Sequence, residues 1–583
     1  MESSDKDQGK KNIPKIQTFT VPFALGEIQE NITITTNTPA KPSKPSKPSK
    51  PSKPSKPSKE QIINQAIQFH LRGNIPEAIK YYEYLIQQGF KNHNVFSNYG
   101  LILKDLGKLK EAEISTRKAI ELNPNYAIAF SNLGTILKDL GNLQEAEVST
   151  RKAIELNTNY AEAYLNLGTI LKDLGNLKEA EISTRKAIEL NPNSAMAFSN
   201  LGTIFIDLGN LQEAEVSTRK AIELDPNYAE AYSNLGNILK DLGNLQEAEL
   251  SLRKAIEINP DFAEAYSNLS LLELLKGNYE SGLENYEFRS QTKKPAITHA
   301  NIKLKKINNE KLDKGNKLLV VSEQGLGDTL QYMRYIPYLR KKDFDISFCA
   351  QTKLHSLIQS SCIDLNPLTP EQASLVSEGE WVPLLSLPKY LKVRPENPIV
   401  SEPYISSNDE LNKKWKDILS KEKRPIIGIN WQGSPEIEKS VYQGRSIPLD
   451  IFSILLKEND ITMLSLQKGF GSEQLNDCSF KNEFVECQPQ IDATWDFLEN
   501  AAIIENCDLI ITCDTSIAHL AGGMGKKVWL LLKDIPFWTW GLERENTFWY
   551  PSMKLFRQKE RHNWQEVMDR VSIAITKEMK KND

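Results

Sequence analysis

Cysteine is scarce in this chain. Its 583 residues hold six cysteines, at 349, 362, 478, 487, 507 and 513, and no two of them stand in a Cys-x-x-Cys spacing. That excludes a disulfide framework and a thiolate zinc site, and leaves the thiols as reduced packing groups in a reducing compartment. Long apolar runs are missing too: none approaches the roughly 20 residues that cross a bilayer. The first forty residues lack the basic-then-apolar pattern of a secretory leader, so a cytoplasmic location is expected. Charge of one sign is not in excess. A net charge of −4 offers no general attraction to nucleic acid or acidic membranes, and neither is an expected partner. What remains is ordinary globular composition, 40% hydrophobic and 25% charged, in a chain too long for one core.

Residues 1–59 form the expected disordered tail. Residues 1–40 are polar and aperiodic, and 41–58 are six copies of Lys-Pro-Ser closed by Lys59. Proline at every third position favours an extended polyproline helix and the lysines repel one another, which makes a semi-rigid spacer. No aromatic residue is interleaved to stack on a base.

Residues 60–290 repeat. Glycine recurs at 73, 107, 141, 175, 209, 243 and 277, always 34 apart, and a second series runs 100, 134, 168, 202, 236 before Ser270 breaks it. Alanines at 112, 146, 180, 214 and 248 keep the same interval, and prolines 124, 192, 226 and 260 mark repeat ends. A 34-residue unit of two antiparallel helices with small residues at the crossings is the tetratricopeptide (TPR) pattern, and seven units predict an α solenoid. One departure is threonine at 116, 150, 184 and 218, where TPR units usually carry a bulky aromatic residue.

A solenoid presents a long concave groove. Asn98, Asn132, Asn166, Asn200, Asn234 and Asn268 occupy equivalent positions on the first helix of successive units. Lining the groove, their amides would hold the backbone of an extended peptide without demanding its sequence. The array is similar to the ladder of the protein O-GlcNAc transferases, although asparagine is also common at this position in TPR units whatever they bind. TPR arrays dimerise in some proteins, so a homo-oligomer stays open.

Beyond a polar connector at 291–316, the pattern changes to alternating strands and helices. Lys317–Glu323 reads as a strand, followed by Gln324-Gly-Leu-Gly-Asp328 and an apolar helix through about Leu339. Without a third glycine this is a weak dinucleotide fingerprint. Gly325 and Gly327 allow close backbone approach to a ligand, and Asp328 stands near the helix start. Strands at 345–351 and 382–386 complete a first α/β domain, 317–420. A second, 421–583, opens with 425–433 and continues through 462–469, 484–487, 509–513 and 527–532, ending in an amphipathic helix at about 564–579 that would cross back over the first domain. Two doubly wound, Rossmann-like domains facing a cleft are the expectation.

The second domain centres on Leu509–Val528. It reads as a buried strand, a turn at Asp514 and a helix from Thr515, with Asp514 or Thr515 as the cap and the N–H groups of Ser516 and Ile517 free to face an anion. His519 follows Thr515 by four residues and Ser516 by three, so the three share a helix face. The one Asp-x-Asp of the globular part, Asp343-Phe344-Asp345, precedes a strand rather than following one, the wrong end for a metal-bound nucleotide sugar.

In order, YEFRS, EQGLGDTLQYMRYIP, PLLSLP, GINWQGSP, GRSIPL, SLQKG, DTSIAHLAGGMGKKVWLLL, WYPSMKLFRQ and NWQEV run from residue 286 to residue 567. This half of the chain resembles the bacterial TPR-linked glycosyltransferases related to ADP-heptose–lipopolysaccharide heptosyltransferases. The resemblance implies a GT-B fold, a nucleotide-diphosphate sugar donor, inversion at the sugar, and no metal or other cofactor. It implies Asp328 as general base and Asp514, Thr515, Ser516, Ile517 and His519 as the donor motif. Arg445 would offset the leaving group's charge and Glu473 would bind the ribose, with Ser434 and Lys468 near the donor. The TPR groove would recruit a protein acceptor or partner. A non-catalytic TPR scaffold with a degenerate transferase half, and a glycan- or lipopolysaccharide-building enzyme, are the competing expectations.

Overall fold

The computed structural model describes residues 58–307, 311–312, 314–315, 317–438, 444–457 and 459–582. Apart from Ser58 and Lys59, the expected tail and spacer lie outside the described residues. By backbone contacts the chain divides into two units, 1–200 and 201–583.

The first unit is built of helix pairs: Lys59–Leu71 with Ile75–Gln87, His93–Asp105 with Leu109–Leu122, Ala127–Asp139 with Leu143–Leu156, and Ala161–Asp173 with Leu177–Leu190. Ser58, the last residue of the Lys-Pro-Ser run, starts the first helix through a capping box: its hydroxyl accepts from the Gln61 N–H at 3.2 Å while its own N–H donates to Gln61 Oε1 at 2.7 Å. The turns within pairs close in the left-handed region. Gly141 holds φ +83, and the Asn142 N–H reaches back to the Leu137 carbonyl at 2.8 Å, a Schellman turn that glycine adopts without strain.

The threonines pack against the glycines at the helix crossings. A methyl placed on Gly134 would lie 2.0 Å from Thr150 Oγ1 and 3.2 Å from the Ala146 carbonyl, so the paired helices cross in direct backbone contact. Thr150 fills the space beside Gly134 and returns its hydroxyl to the Ala146 carbonyl at 2.8 Å. We therefore expect Gly134→Ala to destabilise the array by roughly 1–3 kcal/mol. Adding Thr150→Ala should recover part of the loss in urea unfolding, and equal stability of wild type and Gly134→Ala would rule out so tight a crossing.

The second unit opens with further helix pairs, ending in Ala263–Leu275 and Tyr279–Tyr286. Two all-parallel sheets follow. The first comprises β1 (Lys305–Lys306), β2 (Lys317–Val321), β3 (Asp345–Cys349) and β4 (Glu380–Pro383), in the order β1-β4-β2-β3. The second comprises β5 (Ile426–Asn430), β6 (Thr462–Ser465), β7 (Leu509–Cys513), β8 (Val528–Leu532) and β9 (Met553–Arg557), in the order β6-β5-β7-β8-β9. Strands β5, β7 and β8 are buried throughout, which is why they read as continuous apolar runs rather than alternating ones. Along β7, Ile510 joins one core cluster while Leu509, Ile511 and Cys513 join another, so both faces of the sheet are covered. An α solenoid followed by doubly wound, Rossmann-like α/β structure is therefore the architecture.

Several local expectations change. The helix after Asp328 is two helices, Leu326–Tyr332 and Tyr335–Lys341. Pro337 has no N–H to offer the Met333 carbonyl, and the break falls there. Residues 484–487 do not form a strand: Phe484 makes a single bridge with Met463, and the chain turns into the short helix Gln488–Asp492. The last helix, Trp564–Asn582, does not cross the first sheet. Its Trp564, Val567, Met568, Val571 and Ile575 join the core on the second sheet with Ile427, Ile429 and Phe452. Strands β1 and β9 were not expected. The first is only two residues long, and the second, MKLFR, carries charges at both ends of a short apolar core.

Candidate functional site

In parallel α/β sheets, groups that act on ligands gather where strands end. Strand β2 ends at Val321, and the loop after it holds Gln324 at φ +61, a strained conformation for a non-glycine residue. Gly325 begins the next helix, and the Asp328 carboxylate folds back to accept the Gly325 N–H at 3.0 Å. Burial pushes the Asp328 pKa up to about 7; the Gly325 N–H opposes this, while Asp514 and Glu323 add to it. A carboxyl group that titrates near neutrality suits proton transfer.

Strand β7 ends at Cys513, followed by Asp514, the N-cap Thr515 and the helix Ser516–Gly523. The Thr515 side chain does not cap that helix, contrary to expectation. Its hydroxyl donates to Asn430 Oδ1 at 2.8 Å. Asn430 ends β5, and its Nδ2 donates to Gln467 Oε1 at 2.8 Å. The same Gln467 oxygen also accepts the Trp431 and Gln432 backbone N–H groups. These amides fasten the β5, β6 and β7 turns together and leave the first turn of the 516–523 helix without a side-chain cap.

The two turns meet. A methyl on Gly327 would stand 3.0 Å from His519 Cδ2 and 3.5 Å from Ser516 Cα, so a side chain there would press on the His519 ring. His519 is held by Tyr550, whose hydroxyl lies 2.9 Å from its Nδ1, and by Trp540, stacked at 5.3 Å. Burial lowers the His519 pKa to about 3, with Arg334 acting the same way, so the ring is neutral at physiological pH. Arg334 is itself fully buried. It donates to the Gln331, Val400 and Trp549 carbonyls and the Tyr404 hydroxyl, against the rings of Tyr404, Trp549 and Tyr550.

Arg445 joins the second turn directly. Its Nη1 donates to the Asp514 carbonyl at 3.0 Å and its Nε lies 3.2 Å from Glu438 Oε1. A side chain on Gly433 would collide with the guanidinium, 2.2 Å from Nη2. Burial raises the Asp514 pKa, and the Arg445 charge opposes that rise. Ser434, half-buried, follows the Gly433 contact. Lys468 is turned to the Ile491 carbonyl, and Glu473 is exposed on the 3-10 turn Ser472–Leu475. Neither makes a described contact with Asp328 or Asp514.

Residue-by-residue reading missed Asn430, Gln467, Glu438, Tyr550 and Arg334 as partners of the site. Asn430 did carry a signal: a polar residue closing the apolar run Pro-Ile-Ile-Gly-Ile. In the helical repeats the asparagine amides are partly spent. Asn132, Asn166 and Asn268 donate to Ser97, Ser131 and Ser233 of the preceding repeat, and Asn200 donates to Thr169, each at 3.0–3.2 Å.

These features define a class: helix-pair repeats that offer a groove to a peptide or protein, followed by Rossmann-like α/β structure with a polar cluster at its strand ends. Residues 93–126, 116–148, 161–194, 184–216, 202–243 and 229–262 match tetratricopeptide-repeat models, so the helical array is a TPR solenoid. Protein FlbA of Caulobacter vibrioides is 23% identical over 284 residues, 45% of this chain and 46% of FlbA. The chain thus spans about half the length of the curated relative it matches. Among solved structures, YrrB, a TPR protein with an unusual peptide-binding site, is 28% identical over 32% of this chain and 95% of its own, with a TM-score of 0.26. A tetratricopeptide repeat protein of Parabacteroides merdae is 21% identical over 39% of this chain and 90% of its own, with a TM-score of 0.34. Among the described residues no helix is long and apolar enough to cross a membrane.

Proposed function

We propose that this chain is a GT-B glycosyltransferase, inverting and metal-independent, that moves a sugar from a nucleotide diphosphate to an acceptor hydroxyl, with the TPR groove recruiting a protein acceptor. The observation that carries the reading is the meeting of the Gly327–Asp328 and Asp514–His519 turns, with Arg445 on the Asp514 carbonyl. A donor lying across the uncapped Ser516 and Ile517 N–H groups would have its diphosphate beside positive helix-end dipoles and the Arg445 guanidinium. Asp328, ionised, would take the proton of the acceptor hydroxyl as its oxygen attacks the anomeric carbon. The bond to the diphosphate breaks on the opposite face, and its electron pair leaves with the nucleotide. Neutral His519 would present its Nε2 edge near Gly327 without adding charge.

Calorimetric titration of the purified chain with UDP, GDP and ADP tests the donor site. One nucleotide is expected to bind at micromolar strength, and Asp514→Ala and Arg445→Ala to weaken it by roughly tenfold or more, the scale of a lost charge-assisted hydrogen bond. Absence of binding by all three would favour the TPR scaffold with a degenerate transferase half. Detecting glycosylated proteins after incubation with the donor separates a protein acceptor from a glycan or lipopolysaccharide one.

A further inference from the structure

Strands β8 and β9 end at a cleft that the proposed chemistry does not use. It opens to solvent and is lined by Lys533, Asp534, Gln558 and Arg561 from the sheet side and by Asp241 from the helical repeats, with Gly444 and His562 beside them. Lys533 and Asp534 directly follow β8, and Gln558 directly follows β9, so all three leave the ligand-binding edge of the sheet. Arg561 bridges the two walls: its Nη2 donates to the Asp241 carbonyl at 2.7 Å and its Nε lies 3.2 Å from Asp534 Oδ2.

Two buried polar atoms on these walls have no hydrogen-bond partner among the described residues, Gln558 Nε2 and Asp534 Oδ1. Gln558 is only 4% exposed, and a buried amide donor left unpaired is costly unless something arrives to accept from it. Of the charged walls, Lys533 and Arg561 face Asp534 and Asp241, and Asp241 already lies 3.6 Å from the Lys240 ammonium outside the lining. Burial, first of all, holds the Lys533 ammonium below its ordinary pKa, with Asp241 opposing and Lys240 adding to it. An anion in the cleft would relieve that penalty.

We propose that the cleft is an oxyanion-binding site, taking a phosphate or a carboxylate group on Lys533, Arg561 and Gln558 Nε2. A donor next to the anion, the O–H of a singly ionised phosphate or the N–H of a peptide carrying the carboxylate, would satisfy Asp534 Oδ1. Lys533 acts electrostatically on Asp514, so the cleft neighbours the second turn, but its lining residues are not those assigned to the donor and the proposal does not depend on the transferase reading.

The test titrates the full chain with two probes, inorganic phosphate and the blocked peptide acetyl-Gly-Glu-Gly-amide, and repeats each on Lys533→Met, Gln558→Leu and Asp514→Ala. At least one probe is expected to saturate at millimolar concentration or tighter. Which one does so distinguishes a free phosphate from a peptide carboxylate. Lys533→Met and Gln558→Leu should each weaken that probe by roughly tenfold, while Asp514→Ala, which removes a negative charge acting on Lys533, does not weaken it. Gln558→Leu deletes an unpaired donor, so its thermal midpoint should equal or exceed that of the wild type, which separates lost binding from lost folding. The proposal is overturned if neither probe saturates, if binding survives both cleft substitutions, or if Asp514→Ala abolishes it.

Discussion

Replacing Asp328 with asparagine is expected to lower turnover by roughly 10²–10⁴-fold, the range of a lost general base, while leaving nucleotide affinity within a few-fold of wild type. Hydrolysis of the sugar nucleotide serves as the readout when no acceptor is at hand. In the wild type the rate should rise with pH through about 7, because burial raises the Asp328 pKa to that value and only the carboxylate takes a proton. The same shift makes a second, opposite prediction for stability. A carboxyl group whose folded pKa lies above its unfolded value binds an extra proton in the folded state between the two. Its cost to the fold is therefore absent below about pH 4 and complete above about pH 7. Asp328→Asn, which can still accept the Gly325 N–H, should unfold at a higher temperature than wild type at pH 8 and at the same temperature at pH 3.5. A rate that is unchanged at every pH would remove Asp328 from the chemistry.

The largest loss of stability is expected at Arg289. Its Nη2 donates to Glu323 Oε1 at 2.5 Å and to Ser386 Oγ at 2.9 Å, and both ionic partners are almost wholly buried. The pair joins the 3-10 turn Glu287–Ser290, which follows the last repeat helix, to the loop that leads into the Asp328 helix. Arg289→Met strands the Glu323 carboxylate in the interior, which should cost about 3–5 kcal/mol, whereas replacing both partners with methionine should recover most of it. Urea unfolding of the two singles and the double measures the coupling, and additive penalties would deny the pair its role. Glu323 already pushes the Asp328 pKa upward. Removing its arginine should shift the rising limb of the rate profile to higher pH, so an interaction at the junction is read out at the proposed base.

Much of this was legible in the residues. The 34-residue interval of glycine and alanine defines the helix pairs, because a crossing with no room for a side chain tolerates little else, as Gly134 against Thr150 shows. Buried parallel strands declare themselves as unbroken apolar runs, and β5, β7 and β8 were found that way. Short-range breakers were harder. Pro337 splits the helix after Asp328, but its effect falls four residues upstream, inside an apolar pattern that reads as continuous. Residues 484–487 have strand composition, yet pair with Met463 through one bridge alone, and only the neighbouring strand decides that.

By itself, then, the sequence determined the repeat, the change from helix pairs to alternating strands and helices, and the two polar turns after β2 and β7, since each rests on local periodicity or on spacing within a few residues. It could not say where long polar side chains end. Thr515 turns to Asn430 instead of capping its helix, Lys468 turns to Ile491, Arg289 finds Glu323, and Gln558 and Asp534 face a common cleft. Hydrogen bonds and ion pairs form between groups distant in the chain, and their partners exist only once the layers have packed.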